Sequence, residues 1–434
     1  MKGRAYYRHK RLLLYKRKTR KIYKKRAKRK LRGLRINKKN LISDICFLQE
    51  SKFIKKHRGL SSGAATIYIP KVFSITNNPD ETLDILQKIV FLNKKPSIRE
   101  INIKYVKCKE IGIAASTIMD TIILELESAR KKSRNPINFK GSFKEVDEKI
   151  NALLEASGIL KHLGFNLPPR ENIVTLDLLK GSHADSGRAA TKITDYFVEC
   201  LEQNNFTLER EGYSLVSGFL GEILDNCSKH ASIQIRNLPQ SYLKWYALGH
   251  YYHHNEGHGE CHLVIFNYGK TIYQGLQDTT DEYVNQVLAR ITNAHSDNIK
   301  KGVITKEAIW TLVALQEGIS RLKHKDRTHG TGTITLLEAF RSISGNRIGD
   351  QAIMSITSGS SQIILNNKYV LGNEYNEILG KGFRSIAFND RNDLLTMPDK
   401  ENIRLLKNFF PGTIIEMKFP LDEKYITEIK KDKN

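Results

Sequence analysis

Forty consecutive residues of a single charge sign constrain this chain more than any other feature. Residues 1 to 40 hold 20 Lys or Arg and no Asp or Glu, so nothing within the segment offsets its self-repulsion and it cannot join a packed core. Setting those 20 aside from the total of 71 leaves 51 basic against 46 acidic residues in the rest of the 434-residue chain. The formal charge of +25 is therefore a property of the arm, and folding is confined to the residues beyond it. The arm has no proline and is rich in helix formers, with Leu12, Tyr15, Ile22, Tyr23, Ala27, Leu31 and Leu34 tracing a thin apolar stripe. It reads as an appendage that docks on nucleic acid or another polyanion, since each phosphate it neutralises releases condensed counterions. Two alternatives stay open: a solvated tail, and an interfacial helix on anionic lipid.

No apolar run approaches the ~18 residues that span a bilayer, and the basic start lacks the apolar stretch of a secretory signal. The expected location is cytoplasmic. Cys46, Cys108, Cys200, Cys227 and Cys261 are scattered and odd in number, without a CxxC pair. That pattern excludes a disulfide framework and a zinc ribbon and is read as reduced, structural thiols.

Beyond about residue 64 the texture becomes globular. "ATIYIPKVFSI" reads as strand, "PDETLDILQKIVFLN" as a helix opened by Asp80 and Glu81, "IREINIKYVKC" as strand and "AASTIMDTIILELESARKK" as helix. Residues 144 to 165 read as a further helix. This order predicts a small α/β domain over 64–165, and it resembles a STAS-like domain, in which Ser116 is the faint counterpart of a phosphorylatable serine. "PPRENIVTLDLLKGSHADSG" holds a short strand and a glycine-rich turn, with a boundary near residue 180. Helices are expected at about 187 to 203 and 212 to 231.

The second of these ends in "GEILDNCSKHA", residues 221 to 231. Glu222, Asn226, Lys229 and His230 are spaced by offsets of four, seven and eight from the first, which places them in one stripe of a 3.6-residue repeat, with Leu224 and Cys227 on the other sides. Magnesium wants hard oxygen ligands and keeps waters and phosphate oxygens around it, a task that suits the Asn226 carbonyl. Lys229 and His230 can face phosphates, and Glu222 can accept the proton of an attacking water or hydroxyl. Together they read as a nucleoside-triphosphate site.

"EILDNCSKHA" resembles the N-box of the GHKL superfamily of gyrase, mismatch-repair, chaperone and histidine-kinase ATP-binding domains. Further family signals come in order: "NYGKTI" after the strand "ECHLVIF", "HGTGTITLLEAF" leading into a helix, and the closing strand "PGTIIEMKFP". The resemblance covers residues 185–422 and implies an α+β fold, a two-layer α/β sandwich of the GHKL (Bergerat) type with a mixed sheet, binding ATP and Mg2+. It implies base recognition at Asn267, Gly269 and Thr413, phosphate binding at Gly330, Thr331, Gly332 and Thr333, Mg2+ at Asn226 and catalysis by Glu222. The sequence departs from the family at Asn267, in place of an aspartate, and at Thr271, in place of the second glycine. An amide both donates and accepts, so adenine and guanine edges both remain open to it.

Between Gly269 and Gly330 the family places a lid over the phosphates. Here the interval holds "DEYVNQVLARITNAH" and "KEAIWTLVALQEGISRL", read as helices that report nucleotide state or, equally, as a packed ornament with Trp310 and Leu312 in the core. The stretch holding His250, His253, His254, His258, Cys261 and His262 suggests metal, but "NEGHG" reads as a hairpin turn, so these are taken as surface histidines.

No membrane segment or phospho-acceptor pattern points to a sensor histidine kinase, and too few residues lie after the last strand for a gyrase-type transducer. The reading is a regulatory ATPase, slow in turnover, whose lid state controls a protein or nucleic-acid partner, with a homodimer among its assemblies. The alternatives are an anti-sigma-type serine/threonine kinase and a non-catalytic nucleic-acid-binding protein that uses nucleotide as a structural ligand.

Overall fold

The protein is described by a computed structural model covering residues 63–93, 95–132, 134–142, 146–158, 172–203, 210–230, 245–253, 259–319, 352–366, 368–369, 371–372 and 384–421, with positions 337, 338, 340 and 379. The basic arm, Cys46 and the end of the helix expected over 144 to 165 lie outside the described residues.

The N-terminal unit is built on parallel pairing. Strands β1 (Ala64–Tyr68), β3 (Glu100–Lys104) and β5 (Asn138–Ser142) form a three-stranded sheet in the order β1-β3-β5, and β2 (Val72–Phe73) pairs with β4 (Glu110–Ile111). Pro70 divides the stretch read as one strand into β1 and β2. Helix α1 (Pro79–Asn93) starts with Asp80 and Glu81, which suit the positive end of the helix dipole. Helices α2 (Ile113–Lys132) and α3 (Glu148–Ala156) come next, the latter capped by Asp147 accepting from the Lys149 amide. Ser116 is buried in α2 and its hydroxyl donates to Ile113 O at 3.0 Å and contacts Gly112 O at 3.3 Å. Burial of that hydroxyl removes Ser116 as an accessible phosphorylation site.

The second sheet has five strands in the order β6-β7-β8-β10-β9: β6 (Ile173–Gly181), β7 (Trp245–His253), β8 (Gly259–Tyr268), β9 (Ile353–Leu365) and β10 (Ile403–Leu421). All four of its pairings are antiparallel, where the sequence suggested a mixed sheet. Strands β7 and β8 face each other as a hairpin, and β10 inserts between β8 and β9 running against both. The sheet begins at Ile173, ahead of the residue where the resemblance starts, because β6 pairs with β7.

Two helix layers cover this sheet. Helices α4 (Ser186–Glu202) and α5 (Arg210–His230) pack on one face, where Ile193, Phe197, Phe219, Ile223 and Cys227 meet Leu263 and Ile265 of β8 and Ile415 and Met417 of β10. On the other face, alternation turns Val264, Phe266, Leu406, Phe410 and Ile414 toward the N-terminal unit, in one core with Leu86, Ile118 and Ile122. The mixed α and β content is thus joined through a shared apolar layer and not through a linker alone.

Polar contacts fix the register of the two units. Glu416 of β10 accepts from Thr76 Oγ1 at 2.6 Å and from the Ala114 amide at 3.1 Å, in the first turn of α2. Burial pushes its carboxyl above the usual range, against the pull of those two donors. Asp80 Oδ1 accepts from the amides of Lys407 and Asn408, and Arg404 donates to Thr76 O at 2.9 Å. The free thiols Cys108, Cys200, Cys227 and Cys261 are all buried.

Candidate functional site

Helix α5 carries the polar stripe. Its apolar positions, Val216, Phe219, Leu220, Ile223, Leu224 and Cys227, are buried against the sheet, leaving Glu222 exposed and Asn226 half-buried. Asn226 Nδ2 donates to Glu222 Oε1 at 3.2 Å, which holds the two side chains one turn apart and turns the amide oxygen away from the carboxylate. The backbone of Lys229 and His230 closes the helix; their side chains lie outside the described residues, as do Gly330, Thr331, Gly332 and Thr333. Asp225, on a different side of the helix, meets His183 Nδ1 at 2.9 Å and ties α5 to the short turn that precedes α4.

A row of cross-strand partners crosses the same face of the sheet. Trp245 of β7 opposes Asn267 of β8, Asn267 opposes Thr413 of β10, and Thr413 opposes Ser358 of β9. Asn267 and Thr413 share the face of Leu263, Ile265, Ile415 and Met417, so they point toward the α4/α5 layer. Asn267 is 2% exposed, and its Oδ1 has no hydrogen-bond partner. A buried amide oxygen without a donor costs on the order of 1–3 kcal/mol, so it marks a position suited to receive one. Among the described residues no hydrogen bond links the Glu222–Asn226 pair to Asn267.

Ser358, which the sequence did not single out, is fully buried and bonded on all sides. Its Oγ donates to Gly412 O at 2.9 Å, accepts from the Ile272 amide at 2.9 Å and contacts Thr413 Oγ1 at 3.0 Å. Gly412 has φ 141°, and a Cβ there would sit 2.0 Å from Asn267 O; no other residue lets β10 approach β8 so closely. Gly269, with φ 151°, ends β8 and donates its amide to Pro411 O at 3.1 Å.

Thr271 explains one departure from the family pattern. It caps helix α6 (Ile272–Gln277) in a reciprocal capping box with Gln274: its hydroxyl accepts from the Gln274 amide and its own amide donates to Gln274 Oε1. The interval then continues through α7 (Glu282–Ala294), α8 (Ser296–Lys300) and α9 (Lys306–Val313). Val284, Leu288, Ile291, Ile309 and Leu312 enter the core of the five-stranded sheet, and Trp310 packs against it while donating to Thr292 Oγ1 at 2.9 Å. These helices form a packed layer, as the second reading of the interval anticipated.

The surface placement of the histidines needs correction. His250 and His262 are cross-strand partners with rings stacked 4.7 Å apart, and His250 is 2% exposed with neither ring nitrogen bonded. Burial and the neighbouring His262 hold His250 well below the ordinary imidazole range, and burial lowers His262 despite its contact with Glu260. The hairpin alternation directs both rings to the face that the N-terminal unit covers, where Lys149 of α3 and Lys418 of β10 meet Glu260. Burial raises the Glu260 carboxyl, but His262 and Lys418 outweigh it and hold the group below its usual range. His254 and His258 lie outside the described residues. Among the described residues no group of three or more His, Cys, Asp or Glu is arranged to hold a metal ion, and no helix is long and apolar enough to cross a membrane.

Comparison with protein-family models, curated proteins and solved structures finds no match to this chain.

Proposed function

We propose that the chain binds Mg-ATP in the manner of a GHKL-type domain and is a regulatory ATPase of slow turnover, whose nucleotide state is passed to a protein or nucleic-acid partner. The observation that carries this reading is the buried, unpartnered Asn267 Oδ1 beside the half-buried Thr413 hydroxyl. A folded chain keeps such an orphan acceptor where a ligand supplies the donor. Asn267 and Thr413 would hold the base, and Asn226, its amide nitrogen already engaged by Glu222, would offer its oxygen to Mg2+. Lys229, His230 and the Gly330–Thr333 turn would face the phosphates. ATP supplies the reactive γ-phosphoryl group; Glu222, exposed and unobstructed, would accept the proton of the attacking water.

Titration calorimetry of the whole chain with ATP and Mg2+ tests the reading. Heat of association that disappears in Asn226→Ala supports it, and no heat with ATP overturns it.

A further inference from the structure

Counting protons around Ser358 determines what Thr413 can offer a ligand. Two short oxygen–oxygen contacts meet at Ser358 Oγ: Gly412 O at 2.9 Å and Thr413 Oγ1 at 3.0 Å. Each contact needs one proton, because two bare oxygens at that separation repel. A carbonyl has none to give, so the Ser358 proton goes to Gly412 O and the Thr413 proton goes to Ser358. The Ile272 amide fills the remaining acceptor position of Ser358. Thr413 therefore turns only lone pairs toward the site. Its cross-strand partner Asn267 likewise presents an acceptor, the unpartnered Oδ1.

We propose that Ser358 is a positioning residue which fixes Thr413 as an acceptor, so that Thr413 and Asn267 together grip the two hydrogens of one exocyclic amino group. This rests on the Mg-ATP reading and specifies how the base is read. Side chains of directly opposed residues on neighbouring strands stand about 4.5–5.5 Å apart at Cβ. One amino group donating about 2.9 Å hydrogen bonds at 120° to two acceptors spans about 5 Å between them. The parallel N1–H and N2–H donors of guanine call for acceptors only about 2–3 Å apart, as in a bidentate carboxylate. The two-strand spacing therefore suits the adenine amine, and a 6-oxo purine would set its oxygen against two acceptors.

The test is titration of the whole chain with Mg-ATP and with Mg-inosine triphosphate, which replaces the amine by oxygen. Wild type is expected to favour ATP by about 100-fold, within the range of sites built to hydrogen-bond a substrate group. In Ser358→Ala the Thr413 hydroxyl is released to donate, so the preference should shrink at least about tenfold, with Thr413→Val as a second variant that also removes the acceptor. A purely structural role would weaken both nucleotides equally and leave the ratio unchanged, which overturns the proposal. Equal binding of both by wild type also overturns it while leaving the Mg-ATP reading in place. Failure of wild type to bind either removes both.

Discussion

Glu416, a strand residue of the five-stranded sheet, closes the first turn of α2 in the N-terminal unit by accepting from the Ala114 amide at 3.1 Å. The same carboxylate takes the Thr76 hydroxyl, so one side chain satisfies two donors of another unit inside a dry interface. Glu416→Ala is expected to leave both donors stranded and to lower stability by about 1–3 kcal/mol. Urea denaturation followed by circular dichroism measures this; an unchanged midpoint would show that water replaces the carboxylate.

Gly412→Ala forces a side chain into a backbone conformation reserved for glycine and against Asn267 O. A loss on the order of 2–4 kcal/mol is expected, with a weaker ATP affinity because Asn267 must move. Thermal melting and calorimetry on one preparation read both effects, and wild-type values in either would contradict the tight β8–β10 approach.

The buried His250–His262 pair predicts acid sensitivity. Both imidazoles have pKa values below the ordinary 6.5 in the folded chain, whereas the unfolded chain titrates near that value. Their contribution is fully present above about pH 6.5 and is lost as pH falls, because the unfolded state takes up protons that the folded state excludes. Melts at pH 7.5 and 5.5 should show lower stability at the acid end, and His250→Phe should flatten that difference. Equal pH dependence in wild type and variant would assign the effect to other groups.

Glu222 and Asn226 touch each other yet are assigned different tasks. Asn226→Ala is expected to abolish Mg2+-dependent ATP binding, and Glu222→Ala to keep binding while lowering phosphate release by at least about 100-fold. Labelled ATP and calorimetry separate the two. Equal loss of binding in both variants would contradict the division.

Deleting residues 1 to 40 removes 20 positive charges. Retention on DNA or RNA should fall and lose most of its salt dependence, measurable by filter binding across a salt series. Unchanged retention would place nucleic-acid contacts elsewhere or nowhere.

Local periodicity makes much of this fold legible. Helix α1 occupies the span that its acidic start and apolar repeat indicate, and the stripe on α5 sorts Ile223 and Cys227 inward and Glu222 outward because one helix face decides it. Strand β9, with its serine-rich centre, carries no such local signal, and neither does Ser358, whose importance comes from partners on β10 and at the start of α6 that lie far away in sequence. His250 is misplaced by sequence reasoning for a related cause. Alternation gives the face of a strand residue, but only the second unit packed on that face makes it a buried one.

Strand β10 spans 19 residues and belongs to both cores. Thr413 and Glu416 lie three positions apart along it and so face opposite ways. Any twist of the strand that re-aims the hydroxyl must also swing the carboxylate against α2, which gears the two halves of the molecule to each other through a single stretch of backbone.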